Sequence, residues 1–389
     1  MDLFSKLKMP PLVDQIRAAG VYPYFHELQS RQDTTVIMEG QRRIMLGSNN
    51  YLGLTVNEEV CQAAKAALDH YGTGCSGSRF LNGTLDLHLE LEKQLADFVG
   101  KEAAMTTATG YQTNLAAIAS LVGPHDYAIC DIENHASIYD ACKMSFGKML
   151  RYKHSDMEDL ERKLQKVPEN AGILIITDGV FSMSGDIARL PEIVALAKQY
   201  EARVMVDDAH GLGVIGEGGR GTASYFGLTD QVDIIMSTFS KAFASLGGCI
   251  CASAEIIDYL HHSARPFIFS ASMPPSCTAA TLAALKVIRE HPELPQHLLD
   301  LADYMRTGLR QRGVEIRESR APIIPIYTYD AMRTLTLNRR LYEEGVYVNC
   351  VLPPATAADA CLLRTSLMAS HTEELLDEAM DIIARVVKE

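Results

Sequence analysis

From about Lys101 onward, short apolar runs of strand length alternate with longer segments whose apolar residues recur at helical spacing. AAMTTATG, starting at Ala103, precedes the helix-like YQTNLAAIASLV. YAICD leads into HASIYDACKMS and MLRYKH into MEDLERKLQKV, while ILIITDG and VMVDDAH flank LPEIVALAKQY. In that last segment Leu190, Ile193, Val194 and Ala197 stand at i, i+3, i+4 and i+7, one apolar face of a helix. DIIMSTF and GGCICAS predict two further strands. Alternation of this kind builds an α/β fold with a mainly parallel sheet covered on both faces. Ligands of such sheets bind beyond the carboxyl ends of the strands.

The pattern changes after the run from Arg265 to Pro275. A long helical stretch from about Cys277, strand-like APIIPIYTY and GVYVNCV, and a last helix from Thr372 predict a smaller α+β C-terminal domain. The division expected is an N-terminal segment over 1–45, a large domain over 46–275 and a small domain over 276–389. A chain of 389 residues accommodates two domains. Its first twenty residues, MDLFSKLKMPPLVDQIRAAG, lack the uninterrupted apolar stretch of a signal peptide. They predict a surface helix, or an amphipathic arm that touches a partner subunit or a membrane surface. No run approaches the ~18 apolar residues of a membrane span. The expectation is a cytoplasmic protein with at most peripheral membrane contact.

Composition narrows the function. Hydrophobic residues make up 47% and charged ones 22%, as in ordinary globular proteins, and the net charge of -13 argues against a nucleic-acid surface. Nine cysteines without framework spacing read as reduced thiols. Cys249 and Cys251 share a strand-like run and read as core. No zinc spacing is present, so no metal is expected.

The polar residues at the strand ends carry the chemistry. Gly211-Leu-Gly213-Val-Ile-Gly216 matches a dinucleotide fingerprint, but that motif needs a direct turn from strand into helix. Asp207-Asp208-Ala-His210 intervenes and EGGRG follows, so these glycines predict a shaped loop. Asp207 and His210 read as a helix cap with a satisfied histidine, as metal ligands lacking a third partner, or as groups serving a pyridine ring. In the last reading a carboxylate keeps the ring nitrogen protonated. Lys241 follows Asp207 by 34 residues, at the end of the next strand-like run. A partly desolvated lysine forms Schiff bases readily. Thr238 and Ser240 offer hydroxyls for a phosphate, and Thr109-Gly110-Tyr111 is placed to open a helix whose free N–H groups bind the same anion. Asn134-His135 places an imidazole where it can stack on an aromatic ring. A capped helix or polar loop is the plain alternative for each.

Together Gly110-Tyr111, Asn134-His135-Ala-Ser137, Asp207-Asp208-Ala-His210 and Ser237-Thr238-Phe-Ser240-Lys241 resemble the α-oxoamine synthases, fold-type-I (aspartate-aminotransferase-like) enzymes dependent on pyridoxal 5'-phosphate. SNNYLGL at Ser48–Leu54, GSRFLNGTLDLH at Gly77–His88, GVFSMSGD at Gly179–Asp186 and LLRTSLMASHT at Leu362–Thr372 extend the resemblance from about Gly20 to the C-terminus.

The resemblance implies a role for each matching residue. Lys241 binds the cofactor aldehyde and moves the substrate's α-proton. Asp207 pairs with the ring nitrogen, His210 and Ser182 contact the phenolic oxygen, and His135 stacks on the ring. Thr238, Ser240 and the backbone at Gly110 and Tyr111 hold the phosphate, and Ser272 reaches the phosphate of a neighbouring subunit in a homodimer with shared active sites. Arg364, helped by Asn50, binds the amino-acid carboxylate. The implied reaction condenses a small amino acid with an acyl-coenzyme A, releasing coenzyme A and carbon dioxide. GVYPYF at Gly20–Phe25, SGSRFLNGTLDLH and RTSLMASHT look most like the members that join serine to palmitoyl-coenzyme A to give 3-ketosphinganine. Members that use alanine on the way to biotin, or glycine, are the alternatives within the family. A non-catalytic subunit of the same fold is the alternative outside it, and the presence of Lys241, His135, Asp207 and Arg364 together speaks against that.

Overall fold

A computed structural model of the chain describes residues 2–7 and 11–388. Met1 and residues 8–10, which belong to the expected N-terminal segment, and Glu389 lie outside the described residues. Seven strands form the central sheet: β1 (Ala103–Thr107), β2 (Tyr127–Asp131), β3 (Lys148–Tyr152), β4 (Ile173–Asp178), β5 (Arg203–Asp207), β6 (Ile234–Thr238) and β7 (Gly248–Ala252). Their order is β1-β7-β6-β5-β4-β2-β3. β2 to β6 run parallel, and β7 alone runs against its neighbours β1 and β6. The expected mainly parallel α/β sheet is the one observed.

Each apolar strand feeds two cores, because successive side chains on a strand point to opposite faces. Val204 and Val206 of β5 join one buried cluster while Met205 joins the other. Ile129 of β2 parts in the same way from Ala128 and Cys130. Cys249 and Cys251 sit side by side in one core at 1% and 0% exposure, as expected of strand residues. All nine cysteines are free thiols.

Two smaller sheets complete the molecule. Ile323–Tyr329, Cys361–Ser366 and Asn349–Val351 form one. Thr35–Met38, Gln41–Met45 and Val346–Tyr347 form the other, so the end of the N-terminal segment is tied to the C-terminal part of the chain. The helix Pro275–Glu290 opens the chain's last third. Within the N-terminal segment the helix Pro11–Ala18 buries Ile16 against Leu335, Leu352 and Cys361. Among the described residues no helix is long and apolar enough to cross a membrane.

Candidate active site

Five strand ends deliver polar residues to one edge of the sheet: Thr107, Asp131, Asp178, Asp207 and Thr238. The parallel register sets Asp178 directly beside Asp207. A cavity of about 240 Å³ opens there. It is lined by Gly110, Tyr111, His135, Asp207, His210, Thr238, Ser240 and Lys241, all expected site residues, together with Asp178 and Asn114, which were not.

Local structure explains each placement. Thr109 caps the helix Gly110–Leu121, its side chain accepting from the Gln112 N–H, which aims the helix N-terminus at the cavity. Gly110 is needed for close approach: a Cβ there would lie 2.7 Å from both Cβ and Oγ1 of Thr238. The Thr238 and Ser240 hydroxyls stand 3.0 Å apart. His135 caps the helix Ala136–Met144, with its Nδ1 2.7 Å from Ser137 Oγ, and leaves an exposed ring on the cavity wall. Asn134 bridges to β4, donating to the Ile176 carbonyl and accepting from the Asp178 N–H.

Asp207 is buried and accepts two hydrogen bonds, from Asn114 Nδ2 at 2.7 Å and from the Ala209 N–H at 3.1 Å. Lys241 is half-buried, and withdrawal of its amine from water holds it down to about 8, against the pull of the Asp207 carboxylate. Its Nζ lies 2.8 Å from His210 Nε2. Burial and the nearby Lys241 and Arg364 cations keep His210 well below the usual histidine range, hence neutral. The ammonium can only donate, so Nε2 accepts and Nδ1 carries the hydrogen. That Nδ1 donates to the Tyr51 hydroxyl at 2.6 Å. Tyr51 also receives Arg364 Nη2 at 3.3 Å, so lysine and arginine are joined by one hydrogen-bonded chain.

Arg364 comes from the strand Cys361–Ser366 and is almost wholly buried. Its Nε donates to the Ser182 carbonyl at 2.5 Å and its Nη2 to Asn49 Oδ1 at 3.0 Å. This corrects the expectation for Asn50. The Asn50 amide turns inward and donates to Thr55 Oγ1 and the Gln32 carbonyl; its neighbour Asn49 serves the arginine. Ser182 supplies its backbone rather than lining the cavity. Ser272 also lies apart, in a small recess with Arg79, donating to the Gly77 carbonyl at 3.1 Å.

Asp208, the second acid of its pair, is structural: it accepts from both the Thr222 N–H and hydroxyl, and burial raises it to about 6. The fingerprint-like glycines behave as predicted. Gly213 and Gly216 adopt positive φ, and a single turn at Glu217–Gly219 follows instead of a helix opening. A larger cleft, about 840 Å³, lies at the opposite end of the strands. Several of its polar groups are already engaged: Lys101 donates to the Thr229 and Val232 carbonyls, Asp126 accepts from the Gly123 and Gly172 N–H groups, and Arg203 pairs with Asp233. Volume alone does not mark the reactive end.

Sequence reasoning missed Asp178, Tyr51, Asn49 and Asn114 as members of the site. Asp178 could have been found from its place at the end of ILIITD, the same strand-end logic that singled out Asp207.

Comparison with known proteins agrees with this geometry. The aminotransferase class I and II family matches residues 42–383. Serine palmitoyltransferase of Sphingobacterium spiritivorum is 49% identical, with 97% of this chain and 95% of that protein covered. 8-Amino-7-oxononanoate synthase of Geobacter sulfurreducens is 43% identical, with 97% of each covered. A high-resolution structure of SPT with PLP internal aldimine superposes with a TM-score of 0.97 at 34% identity, covering 100% of this chain and 99% of that one.

Proposed function

Because the chain belongs to the aminotransferase class I and II family, we propose that it is a pyridoxal-phosphate-dependent acyltransferase of the α-oxoamine synthase type. It joins L-serine to palmitoyl-coenzyme A, releasing coenzyme A and carbon dioxide and giving 3-ketosphinganine. Lys241 carries this reading: its amine, at about 8, shares a strand-end cavity with the Asp207 carboxylate.

The residues fit the cofactor. The space that a Cβ at Gly110 would fill, the helix N-terminus and the Thr238 and Ser240 hydroxyls would hold a phosphate. Asp207 would hold the ring nitrogen, His135 and His210 the ring and its phenolic oxygen, and Lys241 the aldehyde. When bound, pyridoxal 5'-phosphate supplies an aldehyde carbon for the substrate amine and a ring that takes up the electron pair left at the α-carbon.

The chain's own groups orient the substrate and move its proton. Arg364 binds the amino-acid carboxylate with its planar fork, fixed by the Ser182 carbonyl and Asn49. Lys241 takes the α-proton, and its lowered value leaves a share of free amine near neutral pH. His210 holds the lysine by one ring nitrogen and Tyr51 by the other.

Three broader proposals accompany this reading. The domain division is 1–45, 46–275 and 276–389, with the seven-stranded sheet wholly inside the second part. The active form is a homodimer: Phe80, Leu81 and Phe269 are 46%, 77% and 73% exposed on loops that Ser272 ties together through Gly77. A second copy would cover them and bring Ser272 to its neighbour's phosphate. The compartment is the cytoplasm, which suits nine free thiols, and membrane contact is at most peripheral.

The test is thiol release from palmitoyl-coenzyme A with serine, alanine or glycine as co-substrate, on protein whose sedimentation gives its mass. Serine-dependent release by a particle of two chains is expected. Release with alanine would move the substrate to that of the Geobacter relative, and release with no amino acid would refute the condensation.

A further inference from the structure

Asp178 is a carboxyl group that the chemistry above leaves unused. It closes β4, stands in register beside Asp207 at the end of β5, is 3% exposed and lines the same cavity. In-register residues of adjacent parallel strands point to the same face, with strands about 5 Å apart. Two carboxyl groups so placed do not both ionise without a large penalty.

Hydrogen-bond donors decide which of the two keeps the charge. Asp207 receives one donor on each oxygen, from Asn114 and Ala209. Asp178 receives one, the His135 N–H at 3.3 Å on Oδ1, and no donor among the described residues reaches its second oxygen. Donors stabilise a carboxylate over the neutral acid, so they favour charge on Asp207. Burial and the Asp207 charge push Asp178 well above the usual carboxylate range, with Lys241 and the His135 N–H opposing. The other titratable groups that feel it are Asp131 and, behind the strand end, Cys130, Tyr139 and Tyr152.

We propose that Asp178 is a positioning residue that retains a proton at working pH and so leaves the pair's negative charge on Asp207, the carboxylate assigned above to the ring nitrogen. This inference rests on that reading for its consequence, but not for its test.

The test compares wild type with Asp178→Asn, which keeps the size and a neutral charge. Infrared spectra at neutral pH are expected to show the carbonyl stretch of a protonated carboxylic acid that Asp178→Asn removes. The visible absorbance of the lysine-bound cofactor is expected to titrate at the wild-type midpoint in the variant. If Asp178 were ionised, the infrared difference would be absent. The midpoint would also fall by roughly one unit, because a negative charge beside the lysine had been removed. Either result overturns the proposal. Protein that develops no visible cofactor band would instead refute the cofactor reading, and the infrared comparison would still decide the state of Asp178.

Discussion

Lys241, His210, Tyr51 and Arg364 act as one unit, because each fixes the orientation of the next through a hydrogen bond. Arg364 spends three of its donors on Ser182, Asn49 and Tyr51, which locks the plane of the guanidinium. Lysine at that position would keep the charge and lose the fork. Arg364→Lys is therefore expected to raise KM for the amino acid about 10- to 100-fold, the loss of one or two charged hydrogen bonds, with a smaller change in kcat. Steady-state kinetics with varied serine checks this, and an unchanged KM would remove Arg364 from carboxylate binding. The arginine was legible in the sequence through its motif, but the choice between Asn49 and Asn50 was not. Both stand in one tight turn, where the Asn50 N–H donates to Ser48 Oγ, and only the three-dimensional path decides which amide faces inward. Tyr51 was hidden for the same reason, an aromatic that sequence alone assigns to the core as readily as to a site.

At the scale of elements, the loop that follows β4 is held by His154. Its Nδ1 lies 3.0 Å from Asp131 and its Nε2 3.4 Å from Asp186 and 3.7 Å from Glu133, with the ring edge-on to buried Phe181. Burial alone would lower this histidine, but the hydrogen bonds to Asp131 and Asp186 and the surrounding carboxylates raise it to about 10. A base raised on folding contributes stability that is fully present below its unfolded value of about 6.5 and is lost as pH rises through about 10. The stability difference between wild type and His154→Gln should thus be largest at pH 6 and shrink towards pH 10. Urea denaturation at several pH values measures it, and a difference independent of pH would contradict the clamp. The same loop carries Ser182, whose carbonyl receives Arg364, so the clamp reaches the site. The β–α alternation from Ala103 to Ala252 was legible because each strand is a short apolar run and each helix has a periodic face. The helices Glu58–Tyr71 and Asp86–Val99 did not stand out, since both precede the stretch of regular strand–helix alternation and Leu85, which offers no side-chain cap, marks the start of the second only in three dimensions.

For the whole molecule, the site forms where two parts of the chain meet: the sheet supplies Asp207 and Lys241, and the C-terminal strand supplies Arg364. The hairpin Thr35–Met45 pairs with Val346–Tyr347, which no local pattern announces because the partners lie some 300 residues apart in sequence. The direction of β7 was equally silent, since an antiparallel strand buried on both faces shows the same apolar run as a parallel one. The chemistry of the site turns on one nitrogen atom, Nζ of Lys241. Borohydride reduction of the cofactor-loaded protein would turn the link between lysine and cofactor into a stable amine, and peptide mass mapping would locate it. The pyridoxyl mass is expected on the peptide that contains Lys241 and on no other; label on a different lysine, or no label in protein saturated with cofactor, would contradict the role given to Lys241.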